Sequence, residues 1–166
     1  MNIPIPRLAR LALLFVVFAT GFLTPSAFAE ETSTAASAAK VDRLLGESGY
    51  KFVKKTDTVW YIAWSGKSLA DFKVIIAVQD DLMVTFVTVV AKAKMRLTPE
   101  FLEKLTRYNS KFDRVKVGLD DDGDLFVRCD STVRIMDGTE MKLVIQQVAA
   151  ATDQLHQEIL PSLIAN

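Results

Sequence analysis

The sequence predicts an α+β domain in which an antiparallel sheet packs against helices. Several segments alternate apolar and polar residues with a period of two, and connections of a few residues join them, as is typical of antiparallel strands. Other segments have the 3.6-residue period of amphipathic helices. The part of the chain with these patterns has the length of one domain, and half of all residues are apolar, so a core of ordinary size is expected.

The first 29 residues have the organisation of a secretory signal peptide. Arg7 and Arg10 precede the apolar run Leu11–Leu23, and Ala27-Phe28-Ala29 supplies small residues at both positions that signal peptidase reads. The run has 13 residues, whereas a membrane-spanning helix needs about 20, so cleavage is favoured over a membrane anchor. We therefore expect an exported protein, periplasmic or secreted, that is cleaved near Ala29 and then has no stable membrane anchor.

The remaining chain is predicted to be one domain behind a short flexible segment. Residues 30–39 (EETSTAASAA) are small and mostly polar, which indicates a flexible entry that grades into a helix, and residues 40–166 form the domain. Gly46 and Gly49 can end the first helix. Its apolar residues have i, i+3, i+4 spacing and are Val41, Leu44 and Leu45.

An antiparallel meander of three or four strands is predicted next. Tyr50–Lys55 is the weakest candidate, and Val59–Trp64 follows a turn at Thr56-Asp57. Phe72–Gln79 has one apolar face, and Leu82–Ala91 is a long, β-branched strand.

A helix, a hairpin and a final long helix complete the predicted order α-β-β-β(-β)-α-β-β-α. Thr98-Pro99-Glu100 has the residues of a helix start, with an apolar stripe behind it. The hairpin turns at Asp120–Asp124, and Asp137-Gly138-Thr139 opens the last helix. The stripe of the first of these helices comprises Phe101, Leu102, Leu105, Tyr108 and Phe112. The buried face of the last comprises Met141, Val144, Ile145, Val148, Ala151, Thr152, Leu155 and Ile159.

Charge and cysteine content narrow the class of protein. Removal of residues 1–29 takes away two arginines and no acid, so 18 basic and 20 acidic residues remain, and this balance argues against a nucleic-acid partner. Cys129 is the only cysteine, so no intramolecular disulfide can form. Its apolar strand neighbours favour a buried small hydrophobe over a reactive thiol or an intermolecular disulfide.

Three aromatic and aliphatic residues are the candidates for partner binding. Trp60, Ile62 and Trp64 share one face of a strand. Two interpretations are open, because such a face can be core or can be an exposed patch for a partner. The core is favoured, and these residues are the contact candidates if the face is exposed.

The motifs that suggest catalysis or metal binding fail in their details. The turn Asp120–Asp124 has its glycine at the wrong position for a calcium loop, so a hairpin turn is favoured. Gly66-Lys67-Ser68 lacks the first glycine of a phosphate-binding loop, since that position is Tyr61. His156 is the only histidine, and a partly exposed helix residue is favoured over a metal ligand. We predict no catalytic residue, no metal site and no cofactor.

Two basic clusters are interpreted as solvated faces. The first comprises Lys92, Lys94 and Arg96, and the second comprises Arg107, Lys111, Arg114 and Lys116. Either cluster could bind an acidic partner or membrane headgroups, but nearby acids dilute the second one.

The stretch from Thr98 to Leu163 resembles the YbjN family of bacterial proteins, described as sensory transduction regulators, and the wider type III secretion chaperone fold. The matching pieces are LTPEFLEKLTRYNSKFDRVKVGLDDDGDLFVRCDSTVRI, a polar break and the long helix from Thr139. Val41–Ala91 fits the helix and meander that precede this unit in such folds. The resemblance implies a domain that binds protein segments or regulates, often as a dimer, and it supplies no catalytic residue.

Two hypotheses on function follow. The first is a non-enzymatic periplasmic or secreted module that offers a sheet face or edge to a protein or peptide partner, or to a second copy as a homodimer. The alternative is an enzyme or small-ligand carrier with a pocket between sheet and helices.

Overall fold

The structure of the protein is a computed structural model that describes residues 26–158, with side chains from residue 33 onwards. Most of the predicted signal peptide lies outside the described residues, and so does Ile159 of the predicted core. The elements are, in chain order, α1 (Ser26–Ser48), β1 (Phe52–Thr56), β2 (Val59–Trp64), β3 (Phe72–Gln79), β4 (Leu82–Val90), α2 (Pro99–Asn109), β5 (Lys116–Leu119), β6 (Leu125–Thr132) and α3 (Gly138–Glu158), with short 3-10 turns at Lys92–Lys94 and Val133–Ile135.

The described part of the chain forms a six-stranded antiparallel sheet in the order β1-β2-β3-β4-β6-β5. The first four strands form the predicted meander, including the weakest candidate, β1. The later hairpin joins β4 through its second strand, β6, so that β5 lies at the outer edge. The α+β class and the order of the elements are therefore confirmed.

The helices pack on one side of this sheet. α3 contacts β3, β4 and β6, α1 contacts β3 and α3, and α2 contacts β5. Buried side chains of all three helices belong to one core cluster with those of the sheet. The fully buried side chains in this layer include Trp60, Ile76, Met83, Leu125, Met141 and Ile145.

Residues 30–39, predicted as a flexible entry that grades into a helix, are all helical, because α1 runs through them and ends just before Gly49. Thr34 fastens this part of α1 to the turn between β3 and β4. Its hydroxyl donates to the Asp80 carboxylate (2.9 Å) and accepts from the Asp80 backbone N–H (3.0 Å). Ala38 is buried against the core. The segment is rich in alanine, a strong helix former, and its small side chains let the helix approach its neighbours closely.

The two later helices begin at capping residues. The Thr98 hydroxyl accepts from the Phe101 backbone N–H (3.2 Å) at the start of α2, and Asp137 accepts from Glu140 at the start of α3 (2.8 Å). The predicted stripe of α2 needs two corrections, since Leu102 is 42% exposed and the partly buried Phe112 lies beyond the end of the helix at Asn109. The described part of the predicted face of α3, from Met141 to Leu155, is buried as expected.

Within residues 26–158, none of the helices combines the length and the apolar character that crossing a membrane requires.

Candidate functional site

The side of the sheet that faces away from the helices carries an apolar surface. Strand alternation points Trp60, Ile76 and Cys129 towards the helices. On each strand, the residues that alternate with the buried ones point to the other side of the sheet. The apolar residues on that other side are at least partly exposed, and they are not part of the core cluster. We define the open face as these apolar residues: Val53, Val59, Tyr61, Ala63, Ile75, Ala77, Leu82, Val84, Phe86 and Phe126.

One row of directly paired residues crosses the whole open face. It runs from β1 to β5 through Val53, Tyr61, Ile75, Phe86, Arg128 and Lys116. Neighbouring strands lie about 4.8 Å apart, so this row is roughly 24 Å wide. Its first four members are apolar and its last two are cationic.

Phe126 extends the apolar surface towards the β5 edge. A Cβ atom added at Gly118, the residue paired with Phe126, would lie 3.1 Å from the tip of the Phe126 ring. The ring therefore covers Gly118, and the missing side chain leaves room for it.

Two lysines flank Tyr61 on the open face. The Lys55 ammonium lies 5.4 Å from the centre of the Tyr61 ring, and the Lys73 ammonium lies 5.0 Å from it. Both side chains are exposed. These distances are typical of cation–π contacts, which hold the two charges beside the ring.

The other side of the open face has an ion-pair network around Asp130. The Asp130 carboxylate accepts from Lys116 (3.1 Å) and from Arg128. Burial raises the pKa of Asp130, but hydrogen bonds from Arg128 and Lys116 outweigh burial, and the net result is a pKa below the usual value. The single Asp130 carboxylate thus pairs with two cations, Lys116 and Arg128, so these three residues together carry a net positive charge.

The two edges of the sheet differ. At β5 the Asn109 side chain donates to the Val117 carbonyl (2.8 Å) and accepts from the Val117 N–H (2.7 Å), as a neighbouring strand would. At the other edge β1 is exposed from Val53 to Thr56, and no described strand pairs with its outer side. An added strand could therefore form backbone hydrogen bonds with the outer side of β1, whereas the backbone N–H and C=O of Val117 are already bonded to Asn109.

The predicted contact residues lie elsewhere. Trp60 and Ile62 are buried in the core, and the Trp60 indole donates to the Asp42 carboxylate (2.7 Å). Trp64 is partly buried, 5.6 Å from Tyr50 between ring centres. The core interpretation is therefore right for Trp60 and Ile62, and neither is accessible to a partner in this conformation. The sequence did contain the signal for the open face, since Val59 and Tyr61 form the opposite face of the same strand.

Cys129 is buried among apolar side chains, as predicted. Burial raises the pKa of the Cys129 thiol above its ordinary value, so the reactive thiolate is disfavoured.

The structure brings together a serine, a histidine and an aspartate that are distant in sequence. Ser68 Oγ lies 2.8 Å from His156 Nδ1. Asp153 accepts from the backbone N–H groups of Lys67 (3.0 Å), Ser68 (2.7 Å) and Leu69 (2.8 Å), and it makes no hydrogen bond to His156. In hydrolases with such a triad the serine contacts Nε2 and the carboxylate holds Nδ1, so this geometry is that of a turn fastened to a helix.

The acidic turn and the second basic cluster have structural partners. The Asp120 carboxylate accepts from the backbone N–H groups of Asp122 (3.1 Å) and Asp124 (2.8 Å), which is the turn chemistry that the sequence favoured. The basic residues of the second cluster each pair with an acid. The pairs are Arg107–Glu103, Lys111–Glu158, Arg114–Glu140 and Lys116–Asp130.

A groove of about 610 Å³ lies between α1 and the turn from β1 to β2. Ala35 and Ala38 form part of its apolar lining. Three of its polar groups are already engaged, since Asp42 accepts from Trp60 and Lys54 pairs with Asp57 (3.7 Å).

The order of the elements and the sheet topology define an α+β fold that is similar to the fold of YbjN and of type III secretion chaperones. No family model matches the sequence, and no curated protein matches it either.

Solved structures share this fold at low sequence identity. YbjN from E. coli aligns at 15% identity and a TM-score of 0.55, over 75% of this chain and 93% of that one. A chain of the heterodimeric ExoU–SpcU complex from Pseudomonas aeruginosa aligns at 16% identity and a TM-score of 0.51, and the alignment covers 75% of this chain and 98% of that one. The structure of the Yersinia pestis type III secretion chaperone SycH, in complex with a fragment of YscM2, aligns at 14% identity and a TM-score of 0.50. The alignment covers 72% of this chain and 98% of that one. At these identities the likeness shows the fold.

Proposed function

We propose that this chain is a non-enzymatic protein-binding module whose open face receives a partner polypeptide. The observation that carries the proposal is the row from Val53 to Phe86, an apolar surface that lies outside the core and that no described element covers. A large contiguous apolar patch on the surface of a protein typically marks a site of interaction with another molecule.

The shape of the surface favours a polypeptide over a small molecule. Small-molecule sites are concave and enclose most of the ligand. The open face is one side of a sheet roughly 24 Å wide, which matches the footprint of a protein segment. The alternative, a carrier or enzyme with a pocket between sheet and helices, has little support, because large side chains such as Trp60, Met83 and Leu155 fill that layer.

The exposed β1 edge offers a second mode of contact. An extended segment can add to a free strand through backbone hydrogen bonds, with side chains supplying selectivity. Because Val53 belongs both to β1 and to the open face, a segment at this edge lies next to the apolar row.

The solved structures with this fold add support by analogy. Two of them are complexes with another protein, ExoU with SpcU and SycH with a fragment of YscM2. Fold likeness alone does not fix a function, so the open face remains the main argument. The signal peptide pattern at residues 1–29 supports action outside the cytoplasm, in the periplasm or after secretion.

The test is comparative capture from a periplasmic extract. Phe86→Asp places a charge in the centre of the open face, and Leu143→Asp makes the same change at a residue that is 40% exposed on α3. We expect the wild type and Leu143→Asp to retain the same partner and Phe86→Asp to lose it, with all three folded by circular dichroism. If Phe86→Asp retains the partner as well as the control does, the open face is not the binding surface.

A further inference from the structure

We propose that the segment bound on the open face is acidic and amphipathic, with carboxylates on both sides of an apolar stretch. This inference rests on the proposed function and adds the chemistry of the partner.

The charged strand residues on the open side of the sheet are mostly basic. They are Lys55, Lys73, Lys116, Arg128 and the single acid Asp130. The whole chain has a formal net charge of zero, so this excess of positive charge is a local property of the surface. Complementary charge steers association and selects partners, so a surface of this kind favours an acidic segment.

Lys55 and Lys73 are the cations most available to a partner. Among residues 33–158 neither of them has a carboxylate within ion-pair distance, whereas Lys116 and Arg128 share Asp130. Their contacts with the Tyr61 ring hold both ammonium groups at the surface. Each ammonium retains N–H donors for an incoming carboxylate.

The positions of the cations define the pattern of the partner. The lysines lie around Tyr61 on β2, and the second cationic group lies on β6 and β5, with Ile75 and Phe86 between them. Three strand spacings separate β2 from β6, which is roughly 14 Å. An extended chain covers this distance in about four residues. A matching segment therefore has acidic residues about four positions apart with an apolar residue between them.

A second copy of this chain does not fit the surface. Two open faces packed against each other would bring cationic groups into a buried interface without carboxylates to match them, since Asp130 is already engaged. The occupant is therefore a different polypeptide.

The experiment is selection of binders from a random phage-displayed peptide library on the purified protein. We expect the selected peptides to be enriched in Asp and Glu around an apolar residue. Lys55→Glu and Lys73→Glu should each weaken their binding by roughly fivefold, and Lys104→Glu, the same change on an exposed residue of α2, should leave it unchanged. Binding should also weaken as salt is raised.

The outcomes separate this inference from the proposed function. Neutral or basic peptides that lose binding in Phe86→Asp would overturn the acidic pattern and leave the open face as a protein site. Peptides that bind Phe86→Asp as well as they bind the wild type, or a library that yields none, would overturn both proposals. Binding to phosphatidylglycerol vesicles in preference to phosphatidylcholine vesicles, with no acidic peptide selected, would assign the surface to a membrane and also overturn this inference.

Discussion

Asp153 fastens the turn between β2 and β3 to α3, 85 positions away from Ser68 in the chain. Backbone N–H donors, first that of Leu69 and then those of Ser68 and Lys67, lower the pKa of Asp153 below its ordinary value of 3.8. A carboxyl group whose pKa is lower in the folded chain contributes stability above its unfolded pKa. That stability is lost as the pH falls through the folded pKa.

The first prediction is that Asp153→Asn lowers the melting temperature at pH 7 and weakens its dependence on pH in the acid range. The amide keeps one acceptor oxygen and cannot ionise, so fewer of the three backbone donors are satisfied. Hydrogen bonds to a charged group contribute about 1.5–3 kcal/mol, and exposure of the site places this one at the lower end. Melts from pH 7 to pH 2 test it, with Asp71→Asn, an exposed residue near the same turn, as the control. Identical acid profiles for Asp153→Asn and the wild type would contradict the role of the carboxylate.

Trp60 shows which part of a site the sequence can predict. Alternation along Val59–Trp64 correctly predicted which residues share a face. Alternation alone could not decide which face the helices cover, since that depends on contacts with α1 and α3, and the core was favoured for Trp60 because large apolar residues are usually buried. The Trp60 indole N–H donates to the Asp42 carboxylate, 18 positions earlier in the chain, and strand alternation does not reveal this partner. The open face was therefore missed even though Tyr61 was assigned correctly to a strand.

α3 carries the longest buried stripe among the described helices. The second prediction is that Ile145→Asp unfolds the domain and Gln146→Asp is tolerated. Ile145 is fully buried and its neighbour Gln146 is exposed, so the pair compares burial at adjacent positions. Loss of a large buried side chain costs roughly 2–5 kcal/mol, and an unpaired buried carboxylate adds to that cost. Urea melts followed by circular dichroism measure both variants, and equal midpoints would show that α3 is not packed on the sheet.

Asn109 protects one sheet edge, and the third prediction concerns its removal. Asn109→Ala leaves the N–H and C=O of Val117 without a partner, so we expect a loss of about 1–2 kcal/mol and a greater tendency to associate through β5. Asn109→Asp keeps the acceptor and loses the donor, so its stability and its tendency to associate should lie between those of the wild type and Asn109→Ala. Lys104→Ala controls for helix propensity on α2. Light scattering and thermal melts are the measurements, and an Asn109→Ala variant that matches the control in both would contradict an edge-capping role.

The elements were predicted most accurately where local chemistry fixes them. The bounds of β2 and β3 match the prediction residue for residue, because short turns and alternation leave little freedom of register. The start of α2 also matches, since Thr98 and Pro99 act through adjacent backbone groups. The full extent of the helix over residues 30–39 was not predicted, because part of what fixes it, such as the contact of Thr34 with Asp80, lies 46 positions away.

At the scale of the whole molecule, the fourth prediction is that the mature protein begins at Glu30. The Ala27-Phe28-Ala29 pattern motivates it. Cleavage there would remove only the first residues of α1, upstream of the contact between Thr34 and Asp80. N-terminal sequencing of the protein recovered from a periplasmic fraction is the measurement, and an intact Met1 in a membrane fraction would contradict it.

Assembly is the subject of the last prediction, a homodimer without a disulfide. The cationic residues disfavour self-association through the open face, and Asn109 blocks it at Val117. The outer side of α2 is one of the surfaces that remain, and there Leu97 and Leu102 are 38% and 42% exposed at the N′ and N4 positions of the helix. Cys129 is buried and cannot link two chains without unfolding around it.

Light scattering on a size-exclusion column tests this assembly at micromolar concentration. We expect a dimeric mass for the wild type and for Cys129→Ser, and a monomeric mass for Leu102→Glu, because a charge in a small apolar interface without a partner is costly. Lys104→Glu, two residues further along α2, is the control and should remain dimeric. A monomeric wild type would reject the homodimer, and dissociation only in Cys129→Ser or under reducing conditions would show that the thiol is the link. A dimer that persists in Leu102→Glu would place the interface away from α2, with the β1 edge as the next surface to vary.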